Sequence, residues 1–230
     1  MMKTYQPIVC RIIEAARPQT ILDVPCGEGW LAHALARPGL AIDGGDLYAS
    51  HPPGYRSFLC HNLDLGIPES WPRYDVVVSC EGIEHIANPG LFLISAREHL
   101  HAGGWLVITT PNVWYPGARL QYFHRGFFPS FSSLVGKIEP GTHMHIMPWT
   151  WPQLYLHLTL AGFSSIELHP CLEDRRTRFI ERILALPMRA YCHRKARAAT
   201  SAEERRFWHI AGSDGALLAR RLVVSARKLQ

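Results

Sequence analysis

The sequence predicts an α/β domain built on a doubly wound, mostly parallel sheet with helices on both faces. Three observations carry that expectation. Short apolar runs rich in Val, Ile and Leu alternate along the chain with segments of helical period. Short turns containing Gly, Pro, Asn or Asp separate them. Some runs are apolar throughout, as at Val76-Val77-Val78, which is the pattern of strands buried on both faces in a parallel sheet. A chain of 230 residues is long enough for one such domain with a full core and short for two.

The elements follow in order. Ile8, Val9, Ile12, Ile13 and Ala16 recur at helical spacing, and Pro18 ends that helix. TILDV at 20–24 reads as the first strand and LAHALAR at 31–37 as the helix after it. LAIDGGD (40–46), SFLCHN (57–62) and YDVVVSC (74–80) read as the second, third and fourth strands. NPGLFLISAREHL (88–100) reads as a helix capped by Asn88 with Pro89 in its first turn, and GGWLVITTP (103–111) as the fifth strand. The alternation then stops. Between 112 and 131, seven of twenty residues are aromatic: Trp114, Tyr115, Tyr122, Phe123, Phe127, Phe128 and Phe131. They show no strand or helix period and are punctuated by Gly and Pro. Regular structure resumes with a helix in WPQLYLHLTLAG (151–162) and a strand in FSSIELHP (163–170). One or two arginine-rich helices cover 173 to about 210, and RRLVVSARK (220–228) is the last strand. No boundary divides 1–230; 112–148 and about 171–215 read as insertions on a single domain.

Composition excludes several classes. Apolar residues make up 47% and charged residues 19%, a globular balance. No run reaches the roughly 18 apolar residues of a membrane helix. The first eighteen residues read as an amphipathic helix and not as a signal peptide. Six cysteines without a CxxC pair indicate a reducing, cytoplasmic setting and no structural zinc. Residues 171–230 carry 14 basic against 6 acidic side chains, while 1–170 carry 10 against 13. A basic third of this kind meets nucleic acid or an anionic membrane, or is a solvated helix face, and the last reading is favoured.

The stretch ILDVPCGEG at 21–29 carries the chemistry. A strand, a glycine turn and a helix form a nucleotide-type cofactor site, with the ligand at the helix N-terminus. Gly27 and Gly29 are followed by Ala32 and not by a third glycine, so the dinucleotide pattern is incomplete. Asp23 and Glu28 bracket the turn, and two carboxylates suit a cationic ligand with an ammonium group better than a pyrophosphate. S-adenosylmethionine has both a sulfonium and an α-amino group.

These residues resemble the class I S-adenosylmethionine-dependent methyltransferases. The resemblance is good over about 18–112 and looser through Ala161-Gly162-Phe163 to the last strand. It implies a Rossmann-like seven-stranded sheet with an antiparallel last strand, S-adenosylmethionine as cofactor and S-adenosylhomocysteine as product. LDVPCGEG then supplies Asp23, Pro25, Cys26, Gly27 and Gly29 to the cofactor; Pro25 departs from the commoner glycine and stiffens the loop. Asp46, with Leu47 after it, is placed to accept both ribose hydroxyls, and either Asn62 or Asp64, around Leu63, to reach the adenine. SCEGIEHIANP is similar to an EH-type motif, which puts Cys80 and Glu81 beside the cofactor and Glu84 and His85 towards the substrate. The resemblance divides the chain into a cofactor-binding half (1–111), a lid or substrate segment (112–148) and a C-terminal half (149–230).

A hydroxyl nucleophile must lose its proton to a base, and histidine titrates near neutral pH. His85 and His143 are the candidate bases, with His145 behind them. The pair His143 and His145 has too few neighbouring ligands to predict a metal. These histidines lean towards O-methylation. Trp114, Tyr115, Tyr122, Phe127 and Phe128 are expected to close over a small-molecule acceptor such as a sugar ring, an aromatic metabolite or a lipid-linked intermediate. The same apolar segment offers a contact for a homodimer. Two alternatives stay open: an RNA or protein methyltransferase using the basic third, for which no recognition module is visible, and a non-catalytic relative that binds cofactor through the same fold.

Overall fold

The computed structural model describes residues 3–48, 51–130, 145–172 and 179–229. Its strands are β1 (Thr20–Asp23), β2 (Ala41–Asp46), β3 (Ser57–Cys60), β4 (Tyr74–Cys80), β5 (Leu100–Pro111), β6 (Phe163–His169) and β7 (Arg221–Lys228). They form one sheet in the order β3-β2-β1-β4-β5-β7-β6. β1 to β5 pair in parallel, and β7 runs antiparallel to both β5 and β6. The seven strands and the reversed last strand match the expectation. The order reverses between β1 and β4, so their connections leave to opposite sides and open a crevice at the carboxyl edge.

The helices are α1 (Gln6–Ala16), α2 (Trp30–Leu35), α3 (Pro89–Glu98), α4 (Pro116–Arg125), α5 (Trp151–Leu160), α6 (Phe179–Ala198), α7 (Ala202–Ala211) and α8 (Asp214–Leu217). Val9 and Ile13 of α1 join Leu31 and Leu35 of α2 against Ile21, Val76, Val78 and Val107. On the opposite face Phe92 and Leu93 of α3, with Trp151, Leu154 and Leu158 of α5, cover Leu22, Val77, Leu106 and Val224. Successive strand side chains point to opposite faces, so an unbroken apolar run feeds both cores. Each large side chain so buried contributes about 1.5–3 kcal/mol.

Local signals set the helix ends. The Asn88 side chain accepts from Leu91 N–H at the start of α3, as its position predicts. Thr150 and Gln153 form a reciprocal capping box on α5. Two strand acids are structural. Asp75 accepts from the N–H groups of Gln19 and Thr20, both at 2.9 Å. Asp43 is held by the Arg56 guanidinium and by the Tyr74 hydroxyl at 2.8 Å.

The aromatic segment corrects the sequence reading. Residues 116–125 are helical, from Pro116 in the first turn to Gly126 at φ 76° as the left-handed stop. That Pro start and Gly stop were legible; the dense aromatics hid the helical period. Trp114 packs on Ala185, Leu217 and Leu218. The Arg220 guanidinium lies 3.7 Å from the centre of the Tyr115 ring. These two rings belong to the packing of α4, α6 and α8. Tyr122 stacks on Phe128 with ring centres 4.4 Å apart, and Phe127 is half-exposed. Phe131 and His143 lie outside the described residues.

The basic third folds as α6 and α7, and Cys192 and Ala211 enter the core. Several of its arginines pair with carboxylates: Arg189 with Asp214, Arg206 with Glu167, Arg220 with Glu181 and Arg221 with Glu81. No helix among the described residues is long and apolar enough to cross a membrane.

Asn112 ties the end of β5 to the C-terminal half. Its buried amide donates to the carbonyls of Ala216 (3.0 Å) and Ala219 (2.7 Å) and accepts from Trp114 N–H (3.0 Å). Asn112→Ala leaves these groups unpaired in the interior. The expected loss is about 2–4 kcal/mol of unfolding free energy, measured by urea denaturation; a loss below about 0.5 kcal/mol would show that water replaces the amide.

Candidate active site

A cleft of about 1310 Å³ opens at the carboxyl ends of β1, β2 and β4. Its floor is the turn after β1. Val24 N–H donates to Val78 C=O at 2.9 Å and Cys26 N–H to Gly45 C=O at 3.0 Å, which binds the turn to β4 and β2. Gly27 and Gly29 have φ of 52° and 80°, in the region that favours glycine. A Cβ on Gly29 would also sit 2.7 Å from Pro52 Cβ. Gly27 N–H donates to the Asp46 carboxylate at 2.9 Å, so the tip of β2 anchors the loop. Pro25, which follows a cis peptide bond, packs on Gly82 so closely that a Cβ there would lie 2.2 Å from Pro25 Cδ. Glycine at 82 therefore lets the β1 and β4 loops touch.

Pro25, Cys26, Gly27, Asp46 and Leu47 line the cleft, as do Asn62, Leu63, Asp64, Cys80, Glu81 and His85. The Asn62 carbonyl oxygen accepts from Asp64 N–H at 3.0 Å, and one Asp64 oxygen accepts from Ala87 N–H at 2.7 Å. Both candidate adenine contacts are thus oriented on the same wall. Burial pushes the Cys26 thiol up to about 12 and the Cys80 thiol well above its usual value, with the Asp23 charge adding to each. Both remain neutral thiols at physiological pH.

Nine sequence-predicted residues are placed differently. Asp23 is only 1% exposed and lies beneath the loop, where the Tyr55 hydroxyl donates to it at 2.6 Å. It does not line the cleft; Glu28 is the acid of that turn that does. Gly29 faces away from the cleft, towards Pro52. Glu84 is buried behind the wall, and His145 stands beside His85 and off the wall. None of Trp114, Tyr115, Tyr122, Phe127 and Phe128 lines the cleft; Trp114 and Tyr115 are taken up in packing against Ala185, Leu217, Leu218 and Arg220.

Sequence reasoning missed other contributors. Tyr5 and Cys10 of the N-terminal segment line the cleft, beside Ile146. Tyr55 was signalled by the Gly44-Gly45 pair inside β2, since glycine in a strand marks a close approach. A Cβ on Gly44 would lie 2.8 Å from the Tyr55 ring. Arg221, brought in by the antiparallel β7, donates to Glu81 at 2.9 Å, while Thr109 donates to the other Glu81 oxygen at 3.2 Å. Glu81 has φ 52°, uncommon for a residue with a Cβ, and these two bonds hold it there.

A second group of polar residues sits at the β4 end. Thr110 donates to Glu84 Oε2 at 3.0 Å. Glu84 Oε1 lies 3.9 Å from His85 Nε2. Burial, then the Glu81 charge, pushes the Glu84 carboxyl up to about 8. The His85 and His145 rings meet edge to face with centres 4.9 Å apart, and burial, then His85, lowers His145. Ile146 and Met147 N–H both donate to Glu84 C=O, at 2.9 and 3.1 Å. Ring and carboxylate donor atoms of Glu84, His85 and His145 all lie within 4.8 Å of one another.

The family model described as "Methyltransferase domain" matches residues 3–168. The chain belongs to that family. It is a class I S-adenosylmethionine-dependent methyltransferase domain. This methyltransferase is 34% identical over 137 residues to a ubiquinone biosynthesis O-methyltransferase of Caulobacter vibrioides, covering 54% of this chain and 51% of that one. A protein of the same name from Azorhizobium caulinodans is 34% identical over 157 residues, 64% of this chain and 60% of that one. The chain thus spans between half and three-fifths of the length of these curated relatives. The solved structure of a SAM-dependent methyltransferase from Archaeoglobus fulgidus superposes with a TM-score of 0.58 at 14% identity, covering 97% of this chain and 92% of that one, a likeness of fold. The site's acids fit the family's cofactor: a carboxylate at the tip of β2 faces the cleft beside the glycine loop, and Glu28 adds negative charge for a cationic ligand.

Asp23 makes this methyltransferase pH-sensitive in a stated direction. Burial is the main cause that raises its carboxyl from 3.8 to about 7, with the Tyr55 bond opposing and Asp46 reinforcing. The native state thus holds a proton that the unfolded chain has released. The stability linked to it is fully present below about pH 4 and is lost as pH rises towards 7. Relative to the parent, Asp23→Asn is expected to gain about 2–4 kcal/mol between pH 4.5 and 8, measured by denaturant unfolding at both pH values. An unchanged difference would mean that Asp23 is ionised in the fold.

Proposed function

We propose that this domain transfers the methyl group of S-adenosylmethionine to a hydroxyl of a small molecule. The observation that carries this reading is that one cleft has the Asp46 carboxylate beside the glycine loop at one end and His85, backed by Glu84 and His145, at the other. The names of the curated relatives, ubiquinone biosynthesis O-methyltransferases, support oxygen as the acceptor atom.

S-adenosylmethionine supplies a methyl group already activated on a sulfonium. The chain's own tasks are therefore alignment, exclusion of water and removal of one proton. Asp46 accepts from the ribose hydroxyls. Asp64 accepts from the adenine amino group, while Asn62 reaches the ring edge with its amide. Glu28 offsets the positive charge of the methionine end. Acidic walls favour binding of the charged cofactor over its neutral product, which helps the product leave. The hydroxyl is brought to the His85 end, where the cluster of Glu84, His85 and His145 activates it.

Calorimetric titration with S-adenosylmethionine and S-adenosylhomocysteine, with NAD as control, tests the cofactor assignment. Micromolar binding of the first two and none of NAD is expected. Asp46→Ala is expected to weaken binding at least tenfold, because a charged hydrogen bond contributes about 1.5–3 kcal/mol. Unchanged affinity would place the cofactor elsewhere. With binding established, matched phenol and aniline acceptors, read by mass spectrometry, are expected to give methyl ether and no N-methyl product.

A further inference from the structure

We infer that Glu84, His85 and His145 hold a divalent first-row transition-metal ion whose open coordination positions face the acceptor end of the cleft. The sequence, read alone, predicted no metal, because the pair His143 and His145 has too few neighbouring ligands. The fold brings Glu84 and His85 to His145.

Four observations carry the inference. First, the donor set is one carboxylate oxygen and two imidazoles, with all ligand atoms within 4.8 Å of one another. That set suits Zn²⁺, Co²⁺ or Fe²⁺ better than Mg²⁺ or Ca²⁺, which prefer oxygen. Side-chain rotations of about 1 Å close the spread to the ~3.4 Å edge of a tetrahedral site with bonds near 2.1 Å. Second, the carboxylate is oriented from behind. Thr110 donates to Glu84 Oε2 at 3.0 Å, and Oε1 is the oxygen turned to His85. A hydrogen bond to a ligating carboxylate is the usual outer-shell support of a metal site. Third, the two segments that supply the ligands are joined through the backbone. Ile146 and Met147 N–H bind Glu84 C=O, so His145 is held next to the turn that carries Glu84 and His85. Fourth, His85 and Ile146 line the cleft while Glu84 is buried. An ion here has protein on one side and the cleft on the other, with positions left for a substrate oxygen. The nearby carboxylate of Glu81 is engaged by Arg221 and Thr109, so Glu84 is the acid presented to the histidines.

The part that this ion plays rests on the hydroxyl-methylation reading above; its binding does not. An acceptor hydroxyl that coordinates a divalent cation gives up its proton to solvent more readily. Its oxygen pair then forms the new O–CH₃ bond as the C–S bond breaks, and the electron pair of that bond stays on sulfur. Charge and atoms balance without an oxidant or reductant. His85 then serves as a ligand and not as the proton acceptor.

The test uses the full, untagged chain, stripped with a chelator and exchanged into metal-free buffer. Co²⁺ and Zn²⁺ are titrated alone, followed by calorimetry and by the visible absorption of protein-bound Co²⁺. The expected result is one ion per chain at micromolar or tighter affinity, with the intense absorption of a four- or five-coordinate site. Glu84→Gln and His145→Ala are each expected to weaken binding about 100-fold or more, while S-adenosylhomocysteine titration of the same variants confirms that they are folded. Binding that needs neither Glu84 nor His145, or no ion held above the level of an unrelated protein, would overturn the inference. Failure of the parent chain to bind S-adenosylhomocysteine would instead overturn the cofactor reading, and the cobalt titration would still decide the metal site.

Discussion

The buried hydrogen bond between the Tyr55 hydroxyl and the Asp23 carboxyl, 2.6 Å long, sets the position of everything at the carboxyl edge of the sheet. Asp23 ends β1, and the glycine turn starts one residue later. A carboxyl taken out of water must find a partner or a proton, and Tyr55 supplies the partner. The tyrosine reaches it only because Gly44 and Gly29 leave room for its ring. With that end fixed, the turn extends to Gly27, whose N–H meets Asp46. A chain of small residues and one buried acid thus presents a cleft-facing carboxylate at the tip of β2.

The opposite end of the cleft uses the same economy. Glu81 and Glu84 lie three residues apart, yet their surroundings separate them. Glu81 is met by Arg221 from β7 and by Thr109, whereas Glu84 is buried behind Thr110. Had both faced the cleft without partners, their repulsion would have raised the cost of folding. The antiparallel last strand is what brings the arginine across, so the sheet's one reversal also settles the charge balance of the site. Gly82, pressed against Pro25, links this turn to the glycine loop after β1.

The C-terminal part serves packing as much as charge. Arg220 lies between the Tyr115 ring and Glu181, and Arg189 and Arg206 pair within the fold. Exposed pairs of this kind contribute little each, but they show where arginines counted as a basic surface are directed. The aromatic side chains before them divide in the same way: Trp114 and Tyr115 fill space between helices, and Tyr122 and Phe128 stack on each other.

By itself the sequence determined the strands, their alternation with helices and the glycine turn, and the resemblance to methyltransferases added Asp46 as the acid at the end of the second strand. The first three rest on local information: apolar runs of strand length and Gly and Pro punctuation. The helix α4 was also written there, in Pro116 and Gly126, although the aromatics between them obscured it. Tertiary structure alone decided which acids face the cleft. Asp23 and Glu84 are buried and Glu28 is not, a distinction that depends on neighbours from elsewhere in the chain. It likewise decided the partnerships of Tyr55 with Asp23, of Arg221 with Glu81 and of His145 with His85, across separations of 32, 140 and 60 residues. Spacing along a chain carries no information about contacts of that range. They exist because the sheet's crossovers return distant segments to one edge.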